Sequence, residues 1–249
     1  MKFIHIDQHL YTSKKYYKME AIVLAGGLGT RLRSCINDIP KPMAQVNGKP
    51  FLFYLLRYLK KQNINRVILS VGYKHEIISD YFGSTFLDMS LIYSIEKTPL
   101  GTGGAISLAL KKCNDKNIFI LNGDTYFPVS LSKLKENQKQ TGAEITIALK
   151  KMNNASRYGI VGLEKNSLIT SFSEKGTASL TLINGGVSLI DKEKFEKRHF
   201  AKKYSFEKDY LEKIVQQKCI SGIAYDSYFL DIGIPESYEK AQIDFKIIY

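Results

Sequence analysis

Ala21-Ile22-Val23-Leu24-Ala25-Gly26-Gly27-Leu28-Gly29-Thr30-Arg31-Leu32 is the stretch that decides the fold. Ala21 to Leu24 reads as a short buried strand, and the glycines after it read as a tight turn that opens a helix. Glycines allow positive φ and let backbone N–H groups approach an anion closely, and a helix N-terminus adds partial positive charge, so the turn suits a phosphate. It is not a Walker loop, because no Gly-Lys-Ser/Thr ending is present. Nor is it a dinucleotide fingerprint, because Leu32 stands where a third glycine is required. A plain strand-to-helix connection is the competing reading, and Arg31, a cation just past the loop, weighs against it.

Outward from this stretch, Val67 to Val71, Leu91 to Ile95 and Ile118 to Leu121 are further short apolar runs of strand length. Helices are expected between them. Pro50 sits where a helix can start, and Phe51 to Lys61 keeps Leu52, Leu55, Leu56 and Leu59 on one side. His75 to Phe82 and Thr102 to Lys112 read as two more helices. Alternating strands and helices predict an α/β protein with a mainly parallel sheet, whose ligands lie at the carboxyl ends of the strands. After Lys133 to Gln140 the pattern loosens into strands at Glu144 to Leu149, Gly159 to Leu163 and Gly186 to Leu189, so the sheet is expected to continue with inserted hairpins.

The chain has 249 residues, is 44% hydrophobic and 24% charged, and shows no Pro, Gly, Ser or like-charge block that would mark a linker. One domain is expected over residues 19–249, with a first part at about 19–125 and a second at about 126–249. Residues 1–18 stand apart, since Met19 immediately precedes the first strand. The sequence leaves open whether they are an extension, a loosely held arm or an upstream start. They carry polar residues throughout and do not read as a secretory signal. The longest apolar run, Phe51 to Leu56, is too short to span a bilayer, so no membrane partner is expected.

Cys35, Cys113 and Cys219 are too few and too scattered for a disulfide framework or a zinc site, which fits a reducing, cytoplasmic setting. The net charge of +12 comes from 36 Lys and Arg against 24 Asp and Glu, and favours anionic partners. Tracts such as Lys192 to Lys203 mix both signs and show no repeated aromatic and basic module. A small anionic substrate is therefore preferred to nucleic acid.

Pro40-Lys41-Pro42-Met43 holds a lysine on a stiff backbone, either aimed at phosphate or exposed in a rigid loop. Taken together with Leu24 to Leu32, this segment resembles the signature of the sugar-phosphate nucleotidyltransferases. Further blocks agree in order: Glu96 to Ala105, Asn122-Gly123-Asp124, Phe172 to Gly176, Asn184-Gly185-Gly186 and Asp231-Ile232-Gly233. Within that family the short members that use a manno-configured heptose 1-phosphate and GTP are the most similar, and residues 1–18 depart from the pattern.

The resemblance implies a Rossmann-like three-layer α/β/α fold with a mixed, mainly parallel central sheet. It implies an enzyme that joins a sugar 1-phosphate to a nucleotide with Mg²⁺ and releases pyrophosphate, the product feeding capsule or lipopolysaccharide synthesis. Nucleotide contacts are implied at Leu24, Ala25, Gly26, Gly27, Gly29, Thr30, Arg31, Glu96, Gly101, Thr102 and Asp124. Sugar-phosphate contacts are implied at Gly123, Gly159, Glu174, Lys175 and Asn184, with Gly185 and Gly186 leaving room for the ring. Arg31, Lys41 and Lys175 are the expected charge-neutralising catalytic residues, and Asp124 and Asp231 the metal ligands.

Relatives that use uracil or thymine commonly carry Gln where Glu96 stands. A carboxylate only accepts hydrogen bonds, which matches the two adjacent donors of guanine. The four histidines form no metal motif and no nucleophile elbow is present. Neither is needed, because an ionised sugar phosphate can attack the α-phosphorus in line without a general base. The competing readings are a mannose 1-phosphate enzyme, a UTP or dTTP enzyme, a catalytically silent nucleotide-sugar sensor and a nucleic-acid-binding protein. Homo-oligomerisation is left open.

Overall fold

The computed structural model describes residues 19–27, 32, 38–153, 155, 158–173 and 181–249. From β1 (Met19–Leu24) the chain passes a 3-10 turn at Lys41–Met43 and a two-strand ribbon, β2 (Gln45–Val46) and β3 (Lys49–Pro50), into α1 (Phe51–Lys61). There follow β4 (Ile64–Val71), α2 (His75–Phe82), β5 (Thr85–Phe86), β6 (Met89–Ile95), α3 (Gly101–Leu110) and β7 (Asn117–Asn122). The second half contains β8 (Thr125–Tyr126), α4 (Leu131–Thr141), β9 (Ile145–Met152), β10 (Ile160–Leu163), β11 (Ile169–Ser173) and β12 (Thr181–Asp191). It ends with α5 (Lys192–Glu196), a π-helical turn at Phe206–Leu211 leading into α6 (Glu212–Ile214), β13 (Ile220–Tyr225), β14 (Leu230–Asp231) and α7 (Pro235–Ile248).

Strands β7, β1, β4 and β6 lie side by side and parallel, in register from Leu24 with Ser70 and Asn122 to Ser70 with Ser94. Their carboxyl ends therefore share one edge. Antiparallel β12 extends the sheet beyond β7, and β9 and β10 pair with it, which makes the sheet mixed. Single-residue alternation builds the layers. Ala21 and Val23 of β1 pack with α1, α2, α4 and α7 on one face, while Ile22 joins Ile106 and Ala109 of α3 on the other. Phe119 and Leu121 divide from Ile118 and Ile120 of β7 in the same way.

Local chemistry sets the helix ends. Pro50, with φ −56°, precedes α1, and the first turn needs no N–H from it. Ser130 caps α4 by accepting from Lys133 N–H at 3.3 Å, and Gly142 closes it in the left-handed conformation at φ 65°. The expected strand at Gly186 to Leu189 is longer than its apolar run, because β12 continues back through Asn184 with an irregularity between Asn184 and Ser188.

Candidate active site

The glycine turn leaves β1 at the shared carboxyl edge and stays close to its neighbours, with Ala25 N–H donating to Ser70 O at 2.7 Å. A Cβ on Gly26 would lie 3.1 Å from Glu96 Oε1 and 3.2 Å from Gly72 N, so a side chain there would displace the carboxylate or the next strand end. Against this turn opens a cavity of about 690 Å³, lined by Leu24 at the end of β1 and by Ala25, Gly26 and Gly27 of the turn. Lys41 and Asp124 line it on one side, and Glu96, Gly101 and Thr102 on another. Nine of the residues expected to contact nucleotide or to catalyse thus meet around a single cavity. Gly29, Thr30, Arg31, Glu174 and Lys175 lie outside the described residues.

The 3-10 turn buries Lys41. Its Nζ donates to Asp124 Oδ2 at 2.6 Å, so the stiff Pro-Lys-Pro mount aims the ammonium into the cavity and not out to solvent. Asp124 follows β7, and Ile232 N–H donates to Asp124 O at 3.0 Å. Strand β14 pairs with β8 so that Asp231 stands opposite Thr125. Residues 106 positions apart are brought to neighbouring strands in this way. Asp124, in the turn before β8, and Asp231, on β14, offer the hard carboxylate oxygens that Mg²⁺ favours, and Asp124 already pairs with the Lys41 ammonium. Asp231 Oδ1 also accepts from Gly233 N–H at 2.7 Å.

Glu96 leaves the end of β6 with its N–H on Val71 O at 2.8 Å. Its Oε2 accepts from Leu100 N–H at 3.0 Å. Burial pushes the Glu96 carboxyl above its ordinary value, and the Leu100 hydrogen bond opposes part of that rise. Ser70 Oγ, on the same cavity wall, and its register neighbour Ser94 Oγ are buried without a hydrogen-bond partner among the described residues.

The expected sugar side is less assembled. Gly123, Gly159, Asn184 and Asp231 do not line this cavity. Asn184 spends its amide oxygen on Gly186 N–H at 3.0 Å. Gly185 and Gly186, expected to leave room for a sugar ring, are also close-packed against protein side chains. A Cβ on Gly185 would meet the Phe127 ring at 2.3 Å, and one on Gly186, at φ +71°, would meet Asn122 Nδ2 at 2.8 Å. Protein side chains thus occupy the Cβ side of both glycines. The sequence reading missed Glu207, which reaches the cavity from the second half of the chain. The one sequence signal for it was Ser205 at the start of its turn, whose Oγ accepts from Lys208 N–H at 3.2 Å.

A parallel α/β core whose strand ends carry a cavity lined by the glycine turn, the buried Lys41 and Asp124 has the form of a nucleotide-binding protein. The chain belongs to the nucleotidyl transferase family, whose model matches residues 20–246. It is 51% identical over 224 residues to the D-glycero-α-D-manno-heptose 1-phosphate guanylyltransferase of Aneurinibacillus thermoaerophilus, a match covering 90% of this chain and 97% of that one. The enzyme of the same name from Campylobacter jejuni is 49% identical over 220 residues, covering 88% and 97%. The HddC protein of Yersinia pseudotuberculosis, solved in complex with GMP-PN, superposes with a TM-score of 0.80 at 36% identity, covering 91% of this chain and 99% of that one.

Proposed function

We propose that this protein transfers GMP from GTP to D-glycero-α-D-manno-heptose 1-phosphate, forming GDP-heptose and pyrophosphate. The observation that carries the reading is the polarity of the cavity: the Lys41 ammonium at the glycine turn suits phosphates, and the Glu96 carboxylate suits a base that offers donors. The heptose comes from relatives about half identical to this chain that bear that name.

In the reaction a sugar-phosphate oxygen bonds to the α-phosphorus while the bond from that phosphorus to the bridging oxygen breaks, and pyrophosphate leaves with the electron pair. The attacking oxygen is already ionised, so the protein aligns and neutralises and has no proton to remove. Lys41 supplies positive charge from a rigid mount, and the glycine turn lets backbone N–H groups approach the phosphates. Arg31, Glu174 and Lys175 keep the roles the family motifs give them. Asp124 and Asp231 would hold Mg²⁺, which when bound neutralises phosphate charge.

No helix among the described residues is long and apolar enough to cross a membrane, and a cytoplasmic enzyme fits that. The test is a matrix of nucleoside triphosphates against sugar 1-phosphates read as pyrophosphate. GTP with the manno-heptose 1-phosphate should give the highest kcat/KM. A higher value for UTP or dTTP, or for mannose 1-phosphate, overturns the corresponding half of the assignment.

A further inference from the structure

The first turn of α3, which walls the cavity, is gripped by the segment from Tyr204 to Glu207. Tyr204 N–H donates to Leu100 O at 3.0 Å, and Gly103 and Gly104 N–H point at Tyr204 O at 3.0 and 3.4 Å. Two donors that a helix start leaves orphaned are therefore taken by a carbonyl and not offered to an anion. The Thr102 hydroxyl works in both directions: it accepts from Phe206 N–H at 2.8 Å and donates to Glu207 Oε2 at 2.8 Å. Ser205 Oγ donates to the same carboxylate oxygen at 3.1 Å. Tyr204, Phe206 and Tyr210 are buried, so this strap stands on the core.

Leu100 connects the strap to the base end of the cavity. Its N–H orients Glu96 Oε2, and its carbonyl is held from behind by Tyr204. We propose that Glu207 is a positioning residue for nucleotide selection. By fixing the Thr102 hydroxyl it locks the turn from Leu100 to Thr102, and that turn presents the Glu96 carboxylate to the base. The proposal rests on the reading of Glu96 as the guanine acceptor. Glu207 is itself exposed at the cavity, where a carboxylate adds little to fold stability, and its side-chain hydrogen bonds go to the strap and to the turn it holds.

The experiment measures kcat and KM for GTP and UTP with one sugar phosphate in wild type, Glu207→Ala, Glu207→Gln and Thr102→Ala, together with thermal midpoints. Glu207→Ala and Thr102→Ala should lower the ratio of GTP to UTP efficiency by about threefold or more, the scale of one net hydrogen bond. The change should appear in the KM for GTP, with the KM for sugar phosphate unaltered. Glu207→Gln, whose amide oxygen still accepts both hydroxyl hydrogens, should restore the ratio. If Glu207→Ala keeps the wild-type ratio, or loses GTP and UTP turnover equally with a lowered midpoint, the strap is only structural and the proposal fails. If Glu207→Gln is as impaired as Glu207→Ala, the charge and not the hydroxyl lock is at work, and the proposal fails again. A wild-type ratio near one overturns the reading of Glu96 as well, which separates the two failures.

Discussion

Lys41 and Asp124, 83 residues apart in the chain, form an ion pair of 2.6 Å in the cavity, their side chains 10% and 31% exposed. The carboxylate assigned to the metal is thus already matched by a cation of the protein. On the proposed reading, nucleotide phosphates reaching Lys41 would compete with Asp124 for its ammonium, and both residues would change partners on binding.

Asp124→Asn should therefore lose about 100-fold in kcat, corresponding to about 2.7 kcal/mol of transition-state stabilisation, because a neutral amide binds Mg²⁺ far more weakly. The fold should survive, since Asp124 is partly exposed and its backbone contact with Ile232 does not need the carboxylate. Pyrophosphate release across a Mg²⁺ titration, with a circular dichroism melt, checks both halves. Near-wild-type rates at limiting Mg²⁺ would remove Asp124 from the metal site.

Arg31→Ala should slow turnover by at least about tenfold, the cost of about 1.4 kcal/mol of lost phosphate stabilisation. Sugar-phosphate affinity should hardly move. Weaker sugar-phosphate binding at an unchanged maximal rate would take Arg31 out of the triphosphate site.

The parts of the cavity wall legible in the sequence are short segments where strands end, such as Leu24 to Gly27 after β1 and Glu96 after β6. α1 and α2 match the expected residues throughout, since amphipathic runs of eight and eleven residues carry enough period to be read. β14 and β8, which bring Asp231 beside Asp124, are two residues long and hold no period at all. Tertiary pairing alone makes them. β12 extends beyond the expected Gly186 to Leu189 because its pairing with β9 continues back to Thr181 across an irregularity between Asn184 and Ser188, which the apolar run alone does not signal. Glu207 was missed for a different reason. Its partner Thr102 is 105 residues away, and nothing in the local sequence announces that contact.

Stability should depend on a network remote from the cavity. Glu144, buried at the start of β9, accepts from Arg198 Nε at 2.6 Å and Nη2 at 2.7 Å and from the Tyr210 hydroxyl at 2.6 Å. Arg198→Ala leaves a buried carboxylate with one neutral donor and should cost about 3 kcal/mol, toward the low end for a broken buried pair because Arg198 is partly exposed. Denaturant unfolding measures the loss. The ratio of GTP to UTP efficiency, by contrast, should stay at the wild-type value.

The last prediction concerns Glu96 and acid. Burial holds its carboxyl above the ordinary value of 4.5, so it protonates at a pH where exposed glutamates are still ionised. A protonated carboxyl carries a donor hydrogen and no longer matches the ring N–H and exocyclic amine of guanine. The KM for GTP should therefore rise as pH falls through the raised value, before ordinary carboxylates titrate. Stability runs the other way. A carboxyl with a raised folded-state pKa contributes stability that is fully present below 4.5 and is lost as pH rises through the folded value, so mild acid relieves the cost of burying the charge while it impairs recognition. Glu96→Gln should flatten the acid limb of the GTP profile, because an amide does not titrate in this range. It should also erode the preference for GTP over UTP by about 1 to 3 kcal/mol, the scale of a lost charged hydrogen bond. The amide offers one donor and one acceptor, which suits a pyrimidine edge better than the guanine edge. Profiles of kcat/KM for both nucleotides between pH 5 and pH 8, in wild type and variant, decide it: an acid limb that survives in Glu96→Gln, or an unchanged GTP to UTP ratio, places the base reader elsewhere in the cavity.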